Sequence, residues 1–329
     1  MPDNLPPEPL VQIRTPTYRR PEALERCLRS LQAQSWRNWV CDVFDDDPDG
    51  GGAAVVAALA DGRIHYHHNR PQLFASKNID ACFSRQNPRG ADYFCVVEDD
   101  NFILPDFIAA NIALCQLEGV EVILRNQVIE YASGTGAARI STFGILDRKF
   151  VEGRYAPDRF RLALMADIGV SNGGLFWSAR AASDFEVGFP ISATLQEYIR
   201  TYALQDDIHV AMEPLAVWAE NGSETTRDLG AKAGYYRREL NLKRSIVELQ
   251  RRAWRRAPVT DRAEFLHSPV FAYSPQARAN GLVKSLTRFS VEGALPLRAR
   301  RRLLLRGGLI RIAGRMAPGR KRFIAANGA

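Results

Sequence analysis

Tyr93-Phe94-Cys95-Val96-Val97-Glu98-Asp99-Asp100 runs five apolar residues straight into three carboxylates. A run apolar on both faces reads as a buried parallel strand covered by helices. Open α/β sheets take their ligands beyond the carboxyl ends of such strands. The strand therefore delivers Glu98, Asp99 and Asp100 to a ligand-facing edge. Two carboxylates two residues apart can engage one hard divalent cation, and that cation can hold the oxygens of a diphosphate. Acidic turns are common, so the weight of this one comes from its neighbours.

Outward from this strand, strand-like and helix-like stretches alternate over the first 130 or so residues, as in a parallel sheet with crossover helices. Val11-Gln12-Ile13 reads as the first strand. Pro21 then opens a helix whose Leu24, Cys27, Leu28 and Leu31 fall on one face. Trp39 to Phe44 is the second strand, ending in Asp45-Asp46-Asp47-Pro48-Asp49 and the turn residues Gly50-Gly51-Gly52. A second acidic edge thus lies near the first. Ile64-His65-Tyr66-His67-His68 is a short third strand, followed by a helix around Ser76 to Phe83 and, after the Tyr93–Val97 strand, a further strand from Glu121 to Leu124. The histidines at 65, 67 and 68 admit a metal reading, but alternation in a strand favours surface or edge packing.

Composition bounds the rest. A chain of 329 residues is long enough for a large α/β domain with an appendage. The opening Met1–Pro9 stretch has neither the basic head nor the apolar core of a signal peptide, and no later run reaches membrane-spanning length, so a cytoplasmic protein is expected. The five cysteines, Cys27, Cys41, Cys82, Cys95 and Cys115, form no C-x-x-C pair and lie in apolar surroundings, as reduced structural thiols do. Asn221-Gly222-Ser223 fits a glycosylation sequon but reads as a turn. The net charge of +7 is unevenly placed: Gly293 to Ala329 holds nine arginines, one lysine and no acid, which leaves the preceding residues at −3. A near-neutral body argues against nucleic acid. The tail, with Leu303-Leu304-Leu305, Leu309, Ile310 and Ile312 among its arginines, reads either as a solvated basic segment or as a membrane-surface helix weakened by Gly307-Gly308. Past residue 230 the pattern becomes basic and helical, with Leu240, Ile246, Val247, Leu249 and Trp254 among cationic residues, and Pro258, Pro269 and Pro275 as interruptions. The expected division is an α/β domain over 1–230 and a helical basic extension over 231–329.

Several of these residues together resemble glycosyltransferase family 2 with its GT-A fold: Thr15-Pro16-Thr17-Tyr18-Arg19-Arg20-Pro21-Glu22-Ala23-Leu24, then Ser30-Leu31-Gln32 and Gln34, Asp45-Asp46, Lys77-Asn78 and Glu98-Asp99-Asp100. The resemblance covers roughly residues 10 to 220. It implies a Rossmann-like, mostly parallel α/β sheet flanked by helices, a nucleotide-sugar donor, Mn2+ or Mg2+, and inversion at the anomeric carbon. It further implies that Asp100, with Glu98 in the first acidic position, holds the metal and that Asp99 lies beside the nucleotide. Thr15, Pro16, Tyr18 and Arg20 would contact base, ribose or phosphates. An acid of the Asp45-Asp46 pair would accept hydrogen bonds from the uracil imide or the ribose, a role that suits a carboxylate. Lys77 takes the place of the family's arginine before Asn78, bringing charge without a bidentate fork. Ser171-Asn172-Gly173-Gly174-Leu175-Phe176, Phe189 and Gln196-Glu197-Tyr198 resemble the region that carries the catalytic base, which puts Glu197 in that role; Gln196 stands where the family has an acid. Asp206 and Asp207 are the alternatives.

These implications amount to a glycosyltransferase that uses a nucleoside diphosphate sugar, UDP-linked, and an acceptor hydroxyl or amine on a glycan, lipid-linked intermediate or natural product. A catalytically inactive nucleotide-sugar-binding module is the alternative, because Gln196 replaces an acid. A sugar nucleotidyltransferase is disfavoured, since Arg14-Thr15-Pro16-Thr17 contains no glycine-rich loop.

Overall fold

The structure, a computed structural model, describes residues 8–220 apart from 167 and 190, residues 246–267 apart from 247 and 251, and a few positions between 297 and 305. The Asn221 sequon, Leu240, Val247, Pro269, Pro275 and most of the basic tail lie outside the described residues. The contacts divide the chain into two units. The first runs to Leu146 and takes in Glu152–Tyr155 and Val170–Glu220; the second holds Asp147–Val151, Ala156–Gly169 and what is described beyond 220.

In the first unit, β1 (Val11–Thr17) is buried along its whole length, four residues longer than Val11-Gln12-Ile13. Parallel partners on both sides extend it: β2 (Trp39–Asp45) on one flank and β4 (Tyr93–Val96) on the other. The β2 flank continues to β3 (Ile64–His68), so the sheet begins as four parallel strands in the order β3-β2-β1-β4. The helix opened by Pro21, α1 (Pro21–Gln32), buries Leu24, Cys27, Leu28 and Leu31 as their spacing requires. Each such leucine contributes about 2 kcal/mol of burial. A second helix, α2 (Gly52–Leu59), follows the glycine turn, and α3 (Phe74–Ala81) begins two residues before Ser76.

The second half of the sheet is mixed. After β5 (Phe102–Ile103) and α4 (Phe107–Glu118), the strand expected over Glu121–Leu124 runs on as β6 (Val122–Tyr131). It does not pair with β4. The strand between them is β9 (Leu175–Ser178), antiparallel to both, which the sequence reading had carried only as part of the base-bearing region. Its Phe176 and Trp177 stack on Tyr93 and Phe94 of β4, with ring centroids 5.3 and 5.8 Å apart. A tight turn, Asn172–Gly174, leads into it, and its last position needs glycine, since a Cβ on Gly174 would overlap the Arg125 carbonyl oxygen. The hairpin strand β7 (Arg139–Gly144) pairs with β6, β8 (Gly153–Tyr155) with β10, and α6 (Ala193–Ala203) precedes the long β10 (Ile208–Glu220), which is parallel to β6.

In the second unit, α5 (Pro157–Arg161) places Phe160 in a 5.5 Å stack with Phe150. Ile246 and Trp254 are buried, and Gln250 Nε2 donates to the Leu164 carbonyl at 2.7 Å.

The histidine strand β3 lies at the sheet edge. His67 Nε2 is 2.7 Å from Asp42, which also accepts hydrogen bonds from Gln12 at 2.6 Å and Arg89 at 2.7 Å. His67 also stacks on Phe44 of β2 with ring centroids 5.1 Å apart, as a side chain packed along a sheet edge does. Burial alone would raise the Asp42 pKa, but the bonds from Arg89, His67 and Gln12 outweigh it and hold the group below its ordinary value of 3.8. A carboxyl lowered on folding stabilises the native state above its unfolded pKa, and that stability is lost as pH falls through the carboxylate range. Asp42→Asn should therefore cost about 2 kcal/mol near neutrality. Its urea midpoint should also fall less than that of the wild type between about pH 6 and about pH 3. Equal pH slopes for the two proteins would refute this account.

Candidate active site

Three loop starts meet at the carboxyl ends of β1, β2 and β4. Backbone bonds continue past the strands: Asp46 N–H donates to the Thr17 carbonyl at 3.0 Å, and Asp99 N–H to that of Pro16 at 3.4 Å. The two acidic edges thus flank the end of β1, as the sequence spacing required. A cavity of about 450 Å³ opens between the ends of β1 and β2, walled by Thr17, Arg19, Arg20, Asp47 and Asp49 among others.

The three acids of the first edge face different ways. Asp99 is fully buried and accepts from Thr17 Oγ1 at 2.7 Å and from the Tyr18 amide at 3.4 Å. Burial pushes its carboxyl up to about 7 even with Arg20 beside it. Arg20 bridges two acids, lying 2.6 Å from Asp99 and 2.6 Å from Asp100. Burial would lower this guanidinium's pKa, but the two aspartates raise it. Arg20 is thus a cation held on the acidic edge, a role beyond the nucleotide contact expected of it. Glu98 points elsewhere, accepting from Asn101 Nδ2 at 3.0 Å and Asn172 Nδ2 at 3.3 Å. Asp100, 17% exposed, is the acid of this edge that combines partial exposure with a place beside Arg20.

The second acidic edge holds loops. Asp45 accepts from the Asp47 and Gly52 amides, at 2.9 and 2.8 Å, and from Tyr66 Oη at 3.0 Å; a Cβ on Gly52 would come within 2.8 Å of the same carboxylate. Asp46 accepts from the Leu73 amide at 2.6 Å, the Phe74 amide at 2.7 Å and Asn69 Nδ2 at 3.3 Å. Both are buried, and their oxygens are engaged within the protein rather than presented as open acceptors. Thr15 and Pro16 are likewise buried in β1, with Thr15 Oγ1 3.6 Å from Cys41 Sγ; Thr17 is the β1 residue at the cavity. Tyr18 and Lys77 are exposed. Asn78, beside Lys77, is buried and donates to the Phe44 carbonyl at 3.0 Å.

The region in which the sequence resemblance places the base arrives on α6. Its Gln196 is buried and ties the helix to α3 through the Ser76 carbonyl at 2.9 Å, while the adjacent Glu197 is half-buried. Four residues beyond Gln196, Arg200 is fully buried: it donates to Asp80 at 2.8 Å, to Asn172 Oδ1 at 3.0 Å and to the Phe185 carbonyl at 2.8 Å, and lies 3.7 Å over the Phe83 ring. Burial lowers the Arg200 pKa, against the opposing pull of Asp80 and Glu197. Asp80–Arg200–Asn172–Glu98 is thus one continuous polar chain from α3 through α6 to the acidic edge. The sequence reading missed Asp80 and Arg200, whose one local signal was an arginine four residues beyond a glutamine on the same helix face. The two alternative bases are engaged elsewhere: Asp206 accepts from the Ala182 and Ser183 amides and the Ser183 hydroxyl, and Asp207 pairs with Arg154 at 2.6 Å.

A sheet that begins in parallel strands, carries acids at their carboxyl ends and holds an antiparallel strand at its centre has the architecture of the GT-A glycosyltransferases. Residues 13–170 match the model of glycosyl transferase family 2, and the chain carries a domain of that family. Among curated proteins, an uncharacterized protein of Mycobacterium tuberculosis, MT1568, is 31% identical over 77 residues, which make up 23% of this chain and 24% of that protein. The match thus spans about a quarter of that relative's length. Among solved structures, Staphylococcus aureus TarS 1-349 superposes with a TM-score of 0.53 at 14% identity, covering 92% of each chain. A second S. aureus TarS structure gives 0.50 at 12% identity, covering 90% of this chain and 55% of that one. These two likenesses concern the fold. No helix among the described residues is long and apolar enough to cross a membrane.

Proposed function

We propose that this protein is an inverting glycosyltransferase that moves a sugar from a UDP-linked donor to an acceptor hydroxyl or amine. The observation that supports this reading best is Asp100, a partly exposed carboxylate at the end of a central parallel strand, beside the ends of β1 and β2 and inside the family match. The chemistry of the edge fits a divalent ion. Its donors are hard carboxylate oxygens, as Mg2+ and Mn2+ prefer, and Mg2+ is commonly held by one or two carboxylates with substrate phosphates and water completing its shell. Asp100 would hold the ion, with Glu98 turned from its asparagine partners as a second ligand. When bound, the metal supplies Lewis-acid stabilisation of the departing diphosphate.

The chain's own residues then have separate tasks. Arg20 balances the charge of Asp99 and Asp100 before the donor arrives and lies close enough to the edge to meet the diphosphate. Tyr18 and Lys77 offer an aromatic face and a cation at the exposed rim. Glu197 takes the proton from the acceptor as it attacks, and Arg200, locked by Asp80 and Asn172, fixes the helix that carries it. A thermal-shift series with UDP, GDP and dTDP, each with and without Mn2+, tests the reading, because a ligand that binds only the native state raises the melting temperature. The expected result is the largest rise with UDP plus Mn2+. No rise with any of the nucleotides would remove the donor reading.

The basic segment from Gly293 supports peripheral placement on an anionic, cytoplasmic membrane surface, where each suitably placed cation contributes about 1 kcal/mol. Full-length protein should co-sediment with phosphatidylserine-containing vesicles and not with phosphatidylcholine alone, and truncation after Glu292 should abolish it. Equal recovery of both forms in the supernatant at low salt would refute this placement.

A further inference from the structure

Phe74, the first residue of α3, combines two features that folding alone does not reward. Its backbone sits in the left-handed region, with φ of +63°, where a bulky residue is strained and a glycine would not be. Its side chain is 68% exposed, so little burial offsets the strain. The conformation is held from below. The buried Asp46 carboxylate takes the amide of Phe74 on one oxygen and that of Leu73 on the other, while the Asp46 amide is fastened to the Thr17 carbonyl at the end of β1. The next residue, Tyr18, is an aromatic 42% exposed. One buried carboxylate thus ties the backbone of an exposed phenylalanine to the end of β1, where Thr17 lines the cavity and the residue after it is an exposed tyrosine.

We infer that Phe74 is a stacking residue for the nucleobase of the donor and forms, with Tyr18, an aromatic wall of its pocket. The inference rests on the donor reading above. Strained backbone maintained by its surroundings is concentrated at ligand sites, and an aromatic face is sequence-tolerant surface for a base. It also gives Asp46 a part that direct contact with uracil does not require: the acid shapes the loop that presents the ring. A flat ring reads the base and not the phosphates, so the affinity lost with it should belong to the base.

The test is isothermal titration of UDP and of inorganic diphosphate, each with Mg2+, onto the wild type and the Phe74→Gly, Phe74→Leu and Phe74→Trp variants. Removing one base stack should weaken UDP about tenfold or more in the glycine and leucine variants, whereas tryptophan should retain it. Inorganic diphosphate should bind all four proteins alike. Phe74→Gly should melt at or above the wild-type temperature, because glycine accepts the positive φ without strain. UDP binding as tight in Phe74→Gly and Phe74→Leu as in the wild type would overturn the assignment. So would a parallel loss of diphosphate affinity, or a Phe74→Gly melting temperature several degrees low, since either makes the residue a shaper of its loop. A wild type that binds no nucleoside diphosphate would remove the donor reading and this inference with it.

Discussion

Asp100→Asn should leave the protein folded and cut its turnover of a UDP-sugar about a thousandfold, roughly 4 kcal/mol of lost transition-state stabilisation. Both halves of this expectation come from the site. Asp100 is partly exposed, and Arg20 keeps Asp99 as a partner when Asp100 is neutralised, so the substitution leaves no buried cation unpaired. The catalytic half rests on the proposed metal: an amide is a poor substitute for a carboxylate toward a hard divalent ion, and the leaving diphosphate depends on that ion for charge stabilisation. Titration of UDP with and without Mn2+ should show the metal-dependent part of the affinity gone and the metal-independent part retained. Unaltered metal-dependent turnover in the variant would sink the assignment. Asp99→Asn makes an informative companion, because that carboxyl is buried against Thr17 and Arg20. Its loss should register in stability through Arg20, and its Mn2+ dependence should resemble that of the wild type.

The parallel half of the sheet was legible because its strands bury both faces and its helix buries a stripe at helical spacing. Trp39–Asp45, Tyr93–Val96 and Pro21–Gln32 carry that local imprint, whereas β1 was legible only over Val11–Ile13, because its remainder includes the polar Arg14, Thr15 and Thr17. The insertion of β9 between β4 and β6 was not legible. Leu175–Ser178 is short, and which strand fills the gap depends on long-range packing of Phe176 and Trp177 against Tyr93 and Phe94. At the site, sequence could say that acids end two strands but not where each oxygen goes. Asp45 and Asp46 look as ligand-like as Asp100 when read along the chain. In space the first two are consumed by amides of residues 47, 52, 73 and 74, because a strand end that turns sharply leaves backbone N–H groups to satisfy. The partners of Arg20 and Arg200 lie 79 and 120 residues away in sequence, at Asp99 and Asp80, beyond the reach of any spacing rule.

Glu197→Gln should still bind UDP and metal yet release UDP from the sugar nucleotide at least about a hundredfold more slowly, the loss expected when a general base is removed without change of shape. The neighbourhood of Glu197 makes the separation of binding from chemistry a sharp one. Gln196 holds the helix to Ser76, and Arg200 holds it to Asp80 and Asn172, so the helix keeps its place when residue 197 changes. Asp206 and Asp207 supply the contrast. Asp206 caps the Ala182-Ser183 turn and Asp207 pairs with Arg154, so their asparagine variants should lose stability while the catalytic rate of the folded fraction stays near that of the wild type. Steady-state kcat of all three variants, normalised to folded protein by a UDP-binding titration, decides between the candidates. A near-normal kcat for Glu197→Gln together with a hundredfold loss in Asp206→Asn or Asp207→Asn would move the base to that aspartate. Near-normal rates in all three would leave the inverting mechanism without a base on α6 or in the turn that follows it.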